Sequence, residues 1–420
     1  MILLRNVREN PDLYKKDCIK RHKPELVVLV DDVVRLDASW REHKKKTDGL
    51  RRQRNEISEQ VNAEKKKGKD VSGLLETAKD IPKKIAFIED VQKELEKKIN
   101  DILLRLPNLM HASVPEGKDS SQNPEVRKWG SPVSAPAIVS HGELAEKKGL
   151  ADFDTAAKVA GSGFNYLKEE LALLDISLQR FAIDFMRSKG FTFMEVPMLL
   201  RRDAYSAVTP LNDFQDVMYP VDNDFFLIAT AEHPLMAYFW DKVVDETELP
   251  IKLVGLSSAW RKEIGAHGVD TKGLFRMHQF NKVEQVVVCR PEESFDWLEK
   301  MQLLSEEMIK KLGIPYRIIE ICSGDLSIKN AKQYDIEAWF PRQNKYAEIG
   351  SASNCSSWQS VRLNLRYRKG QEKEFPNTLN NTALATSRVM VAILENFQNN
   401  DGSIDIPKVL HKYTGFERIK

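Results

Sequence analysis

The sequence predicts an α+β protein, and three observations lead there. Two runs of heptad-spaced core positions lie near the amino terminus, a stretch rich in Pro, Gly, Ser and Asn ends them, and long amphipathic spacing with short bounded apolar runs follows. With 420 residues the chain is long enough for a large core plus a second domain. The boundaries expected are a helical amino-terminal domain over 1–106, a linker over 107–132 and a larger domain over 133–420.

In the first run, core-type positions recur at Val33, Leu36, Trp40, His43, Thr47, Leu50, Arg54, Ile57 and Val61. After the turn-like KKGKDVSG, a second series runs through Leu74, Ala78, Ile81, Ile85, Ile88, Gln92, Leu95, Ile99, Ile102 and Leu106. Steps alternating between three and four residues are the mark of a coiled-coil seam, so two helices of similar length fold back on each other. A helix of about 35 residues reaches about 50 Å, so the hairpin is expected to project from a globular body. Pro82 either kinks the second helix or marks its start. Between Arg41 and Lys69 there are eleven Lys or Arg against five acids. That excess fits a footprint for a phosphate backbone, and it fits equally a solvated spacer or a dimerisation arm.

Composition excludes several classes. The hydrophobic share is 42% and the charged share 30%, and no apolar run approaches the length of a membrane span. The start, MILLRNVRENPDLY, has neither a signal peptide pattern nor a transit pattern, so a cytoplasmic protein is expected. Cys18, Cys289, Cys322 and Cys355 are scattered with no CxxC pair, which predicts four reduced thiols rather than disulfides or a zinc site. A net charge of +2 says little by itself about nucleic acid.

In the larger domain, Tyr166 to Lys189 has the spacing of a long amphipathic helix closed by Gly190, and FTFMEVP reads as a strand ending near Pro197. From Ser257 to Glu284, SSAWRKEIGAHGVDTKGLFRMHQFNKVE carries Arg261 and Glu263 in one polar run and Arg276, Phe280 and Glu284 in another. A loop with Gly265, Gly268 and Gly273 joins them, so two strands with a mobile tip are expected. Guanidinium groups hold phosphate oxygens through paired hydrogen bonds, which points to a nucleotide; a charged surface hairpin fits the same spacing. Glu284 reads as a ligand for a cation or as a strand-end salt bridge. Further on, NTLNNTALATSR is a polar turn leading into an apolar helix, where Thr382 would serve as an N-cap.

RKEIGAHGVDTKGLFRMHQFNKVE resembles motif 2 of the class II aminoacyl-tRNA synthetases, in its seryl form. The helix and strand with Pro197 resemble motif 1, a dimer interface; IATAEHP carries the TAE signature; and NTLNNTALATSR with Arg388 resembles motif 3. The resemblance covers essentially the whole chain. It implies a catalytic domain built on a mixed, mostly antiparallel sheet flanked by helices, behind an amino-terminal arm that binds tRNA. Its activity would be ATP-dependent charging of tRNA(Ser), and by extension tRNA(Sec), with L-serine, by a homodimer using Mg²⁺.

Residue by residue, the resemblance assigns Arg261 to the α-phosphate and the serine carboxylate, with Lys262 and Glu263 ordering ATP. Phe280 would stack on adenine beside the Met277 backbone, and Arg276 would face the polyphosphate. Thr230, Ala231 and Glu232 would contact serine, Glu284 its α-ammonium and Thr382 its hydroxyl. Glu348, Ile349, Gly350 and Ser351 would meet ATP, with Glu348 and Ser351 as oxygen donors to the metal. Arg388 would hold the γ-phosphate, and Arg261, Glu263 and Arg388 would be the catalytic set. On the arm, Lys44, Lys45, Arg51, Arg52, Arg54 and Lys65 would meet tRNA. The chain departs from the usual pattern at Gly163, where an Arg is common, and at Gly350 and Ala352. Asn380, Asn381, Thr382 and Ala383 follow the archaeal and eukaryotic form of motif 3. Relatives that load an amino acid onto a carrier protein, or that are non-catalytic paralogues, are the alternatives; the first lack the arm and the second tend to lose the motif arginines.

Overall fold

The computed structural model describes residues 2–135, 138–211, 215–263 and 273–420. The expected loop glycines Gly265 and Gly268 lie outside the described residues. The chain divides into two compact units, Met1–Pro107 and Asn108–Lys420.

The first unit is helical. Helices α1 (Leu4–Glu9) and α2 (Pro11–Lys20) pack near the start of α3 (Val27–Lys66), which pairs along its length with α4 (Ser72–Arg105). Pro82 lies inside α4, ten residues past its first, so it does not start the helix. The seam buries Val33, Thr47, Ile57 and Val61 on α3 and Ile81, Ile85, Gln92 and Ile99 on α4, all on the heptad positions. Arg54 departs from the pattern and is exposed. Asp37, off the heptad, is buried because it receives Arg8 of α1 at 3.6 Å and Arg41 at 3.0 Å. Of the six arm cations singled out above, Lys44 pairs with Asp48 (3.1 Å) and Arg51 with Glu89 of α4 (2.7 Å). Lys45, Arg52, Arg54 and Lys65 make no ion pair with a described residue.

The second unit is an eight-stranded sheet with helices on it. Its strands are β1 (Glu125–Trp129), β2 (Thr192–Glu195), β3 (Ile251–Trp260), β4 (Gln279–Cys289), β5 (Tyr316–Glu320), β6 (Lys332–Phe340), β7 (Lys345–Asn354) and β8 (Asn377–Ala385). Their order is β1-β5-β6-β7-β8-β4-β3-β2, and every neighbouring pair is antiparallel except β2 with β3. Side chains alternate between faces along a strand. On β4, Val283 and Val287 join the larger core with α5 (Glu169–Ser188), α7 (Ser294–Leu312) and α8 (Thr386–Asn396). Val286 and Val288 face the other way, into a second core with the short helix α6 (Glu232–Ala237). Lys282 and Glu284 share the parity of that second face.

The stretch read as a linker is not one throughout. Glu125–Trp129 is the edge strand β1, and its Arg127 reaches the buried Glu306 of α7 at 2.7 Å. A polar, alternating edge strand gives no apolar run, so the turn-rich composition around it hid it. Asn108 is also built in: its backbone N–H donates to Ile328 O (2.7 Å) and its side chain to Lys329 O (3.0 Å) and Cys355 O (2.8 Å). All four cysteines are free and buried. Among the described residues no helix is long and apolar enough to cross a membrane.

Cross-helix bonds from Trp40 to Glu96 and from Arg51 to Glu89 bracket the level of the arm where Thr47 and Gln92 are both buried. Thr47 Oγ1 and Gln92 Nε2 have no hydrogen-bond partner there among the described residues. Unmade buried hydrogen bonds are costly, whereas apolar replacements of both groups are not. The pair Thr47→Val with Gln92→Leu is therefore expected to stabilise the arm by about 1–3 kcal/mol, read as a higher urea midpoint by far-UV circular dichroism.

Candidate active site

The site grows from the β3–β4 hairpin. Arg261 N donates to His278 O (2.9 Å), which carries the pairing one step past the strand ends. Glu284 lies opposite Gly255 of β3 on one side and Thr382 of β8 on the other. Directly paired residues share a face, so Glu284 and Thr382 stand together above a backbone with no side chain. Helix α6 settles there: a Cβ on Gly255 would lie 3.1 Å from Leu235 Cδ1 and 3.4 Å from Ala231 Cβ. Thr230, Glu232, Arg261, Glu263, Glu284 and Thr382 consequently line one cavity of about 420 Å³, together with Glu348 and Ser351 of β7.

Two ion pairs are buried in this cavity. Lys282 Nζ lies 2.6 Å from Glu284 Oε2, and Lys329 Nζ 2.6 Å from Glu232 Oε1, which also accepts from Gln359 Nε2 (2.8 Å). Burial opposes the charged form of Glu232, but its neighbours, the Lys329 ammonium first among them, together outweigh it and hold the carboxyl below its usual range. At Glu284 burial prevails over Lys282 and pushes the carboxyl up. Burial, helped by the Lys329, Lys282 and Arg261 cations and opposed by Glu232, drives His233 down to about 3, so its imidazole is neutral.

Glu348 and Ser351 are three apart, a spacing that would put them on opposite faces of a regular strand. The register shifts between them: Glu337 pairs with Glu348 and Ile336 with Gly350, leaving Ile349 as the extra residue of a bulge. Ile349 is buried in the larger core, while Glu348 and Ser351 come to the same face, opposite Glu337 and Asp335. Asp335 accepts from Gln333 Nε2 (3.0 Å) and from Ser351. Arg388 Nη1 contacts Glu348 Oε1 (3.1 Å) and Glu348 O (2.9 Å), tying α8 to the same corner. Among the described residues no three His, Cys, Asp or Glu side chains form a metal cluster.

Residues 1–110 match the seryl-tRNA synthetase N-terminal domain and residues 216–397 the tRNA synthetase class II core domain (G, H, P, S and T). A serine–tRNA ligase of Methanoregula boonei is 48% identical, with 98% of each chain covered, and one of Pyrococcus horikoshii is 46% identical, covering 100% of this chain and 97% of that one. The crystal structure of the Pyrococcus horikoshii seryl-tRNA synthetase complexed with ATP superposes with a TM-score of 0.95 at 45% identity, covering 100% of this chain and 99% of the other. The cytoplasmic serine–tRNA ligase of Naegleria fowleri in complex with AMP gives 0.89 at 35% identity, with 98% and 96% covered. The chain belongs to the seryl-tRNA synthetase family.

The seryl-tRNA synthetase motifs are not all drawn to one place. Arg388 reaches the main cavity only through Glu348. Arg276 is half exposed and sits 3.6 Å from Glu263 rather than on the cavity wall. Phe280, under the Arg261 guanidinium at 5.3 Å, and Met277 line a separate hollow of about 130 Å³. Ala231, Lys262, Ile349 and Gly350 do not line the main cavity, and Ala231 and Ile349 are buried as packing residues. Thr382 is in β8, four residues ahead of α8, so it does not cap that helix. Glu284 is in mid-strand, not at its end. Where the family commonly has Arg, Gly163 has φ +86° and a Cβ there would lie 2.4 Å from His278 Cδ2. The His278 ring fills that place, stacked on Phe164 and 2.7 Å from Tyr219 Oη.

Lys282, Lys329, His233 and Asp335 were not picked out from the sequence. The signal for Lys282 was available: two opposite charges two apart, leading into the apolar VVVC of NKVEQVVVC, share a buried face.

Burial, reinforced by Glu348, pushes the Asp335 carboxyl up to about 7. A raised carboxyl pKa means the unfolded chain ionises first, so stability is lost as pH climbs from the unfolded value toward about 7. Relative to Asp335→Asn, the unliganded protein is therefore expected to lose melting temperature between about pH 4 and pH 7 and to match it below that window, checked by scanning calorimetry across pH.

Proposed function

We propose that this chain works in the cytoplasm as an ATP-dependent serine–tRNA ligase, joining L-serine and ATP into seryl-adenylate and pyrophosphate and then passing serine to the 3′ end of tRNA(Ser). The observation that carries this reading is the convergence, in one cavity, of Thr230, Glu232, Arg261, Glu263, Glu284, Glu348, Ser351 and Thr382 from well-separated parts of the chain.

In this reading Glu284 holds the α-ammonium and Thr382, directly across the sheet from it, the serine hydroxyl. A hydroxyl-reading pocket rejects alanine because a buried polar group would be left unpaired. The serine carboxylate is itself the nucleophile: its oxygen bonds to the α-phosphorus as the bond to the β-phosphate oxygen breaks and pyrophosphate leaves. A ribose hydroxyl of tRNA then attacks the acyl carbon and AMP departs. The first step needs no protein base, so catalysis rests on alignment and on Arg261 countering charge at the α-phosphate. Arg276 and Glu263 bracket the nucleotide, Lys262 lies beside them, and Phe280 offers a ring face to adenine above the Met277 backbone. Arg388 exchanges its hold on Glu348 for the γ-phosphate.

Mg²⁺ fits the same corner. Glu348 and Ser351 present hard oxygen donors on one face, with Asp335 bonded to Ser351, and two protein donors suit an ion that keeps water and phosphate oxygens as its other ligands. Bound there, the ion would neutralise phosphate charge.

The arm is proposed to meet tRNA through Lys45, Arg52, Arg54 and Lys65, which have no ion pair within the described structure, and less through Lys44 and Arg51, which do. A homodimer is supported by the exposed apolar residues Phe193, Met198 and Leu199 around Pro197, with Tyr238 and Trp240 nearby lining the same hollow as Pro197.

Arg261→Ala is expected to lower serine-dependent ATP–pyrophosphate exchange by roughly 10²- to 10³-fold; exchange near the wild-type rate would remove Arg261 from the mechanism. Deleting residues 25–106 is expected to abolish charging of tRNA(Ser) while sparing exchange. Charging retained by the deleted protein would assign tRNA recognition to the second unit. tRNA(Sec) is the second acceptor for the same assay.

A further inference from the structure

Glu284, assigned above to the substrate's α-ammonium, already holds an ammonium group. Lys282 Nζ lies 2.6 Å from Glu284 Oε2, with side chains only 8% and 2% exposed. A buried carboxylate left with no cation would take up a proton, and a neutral acid cannot hold an ammonium by charge. A resident cation opposes that, but it occupies the place the substrate needs.

Lys329, another cation lining the cavity, does not compete, because it is committed to Glu232 at 2.6 Å and Glu232 is further held by Gln359. Lys282 has somewhere else to go. Its cross-strand partner in the β3–β4 register is Ser257, which is wholly buried, and Ser257 Oγ has no hydrogen-bond partner among the described residues. Directly paired residues share a face with Cβ atoms about 5 Å apart, within reach of a lysine's four-carbon stem. Ser257 does not line the cavity, so an ammonium moved toward it would vacate the space beside Glu284.

We propose that Lys282 stands in for the substrate's ammonium on Glu284 in the empty enzyme and moves to the hydroxyl of Ser257 when serine arrives. Ser257 is then a positioning residue for serine binding, although it touches neither substrate nor nucleotide. The hand-over rests on the assignment of Glu284, and the two fail in different ways.

The test is a double-mutant cycle in the full-length protein, with KM for serine, KM for ATP and kcat read by ATP–pyrophosphate exchange for wild type, Ser257→Ala, Lys282→Met and the double variant. Ser257→Ala is expected to raise the serine KM roughly tenfold, the worth of one buried hydrogen bond, with the ATP KM and the melting temperature unchanged. In the Lys282→Met background the same change is expected to have no further effect. A serine KM within about twofold of wild type for Ser257→Ala, or an equal increase with and without Lys282, overturns the hand-over. If Lys282→Met does not fold, the serine-against-ATP split of Ser257→Ala decides alone. Glu284→Gln separates the premises: an unchanged serine KM there removes Glu284 and the hand-over together. A raised one, with a flat Ser257 cycle, removes only the hand-over.

Discussion

Charge buried against a β-sheet is the constraint around which the second unit is organised. Lys282, Glu284, Lys329 and Glu232 stand on or over the same face with very little water to share. Each such charge is tolerable only if an opposite one meets it at contact distance and neighbouring dipoles complete its shell. The two pairs at 2.6 Å meet the first condition, and Gln359, itself held by Thr378, meets the second for Glu232. The architecture serves that arrangement. Gly255 lets α6 approach so that Glu232 reaches the floor, the pairing of Thr382 with Glu284 sets those two side chains next to each other, and the bulge at Ile349 turns Glu348 and Ser351 the same way.

Such a site is also selective by construction. A ligand that restores the charge pairing inside the cavity gains what water cannot supply there, whereas one lacking a matching group leaves a buried partner bare. A small zwitterion with a hydroxyl and a polyanionic nucleotide suit the mixture of Glu284, Thr382 and Arg261 better than an apolar ligand would. The chemistry asks for little more than alignment, consistent with a cavity rich in paired charges and poor in free bases.

Much of the fold was legible in the sequence because it follows from periodicity. The arm showed itself through three-four spacing over two long runs, and Thr47 and Gln92 fell on core positions although they are polar. Arg54 did not, since a heptad position that carries a guanidinium opens the seam to solvent. Helix α5 and strand β2 emerged almost at their true ends because Gly190 separates them. Strand β1 was missed, since an edge strand needs no apolar run and its neighbours are turn residues. In the site, Arg261, Glu263, Glu284, Thr382, Glu348 and Ser351 were legible through motif resemblance, and their meeting in one cavity follows from the sheet order. Lys329 and Asp335 were not, because what matters about them is which strand lies next to which. The placement of Arg276 and Arg388 on Glu263 and Glu348 likewise depends on acids that local spacing does not bring near.

Asn108 carries a consequence for dissecting the molecule. Its bonds to Ile328 O and Lys329 O clamp the loop whose lysine neutralises Glu232, and another reaches Cys355 O, so the floor of the pocket is stitched to the very first residue of the second unit. Trimming from the amino terminus as far as the end of the turn-rich stretch would strip out that stitch and β1 together, leaving a fragment with an unsupported sheet margin and a loosened lysine. A cut on the helical side of Pro107 spares both. The independent module begins where the asparagine does, not where the composition turns globular.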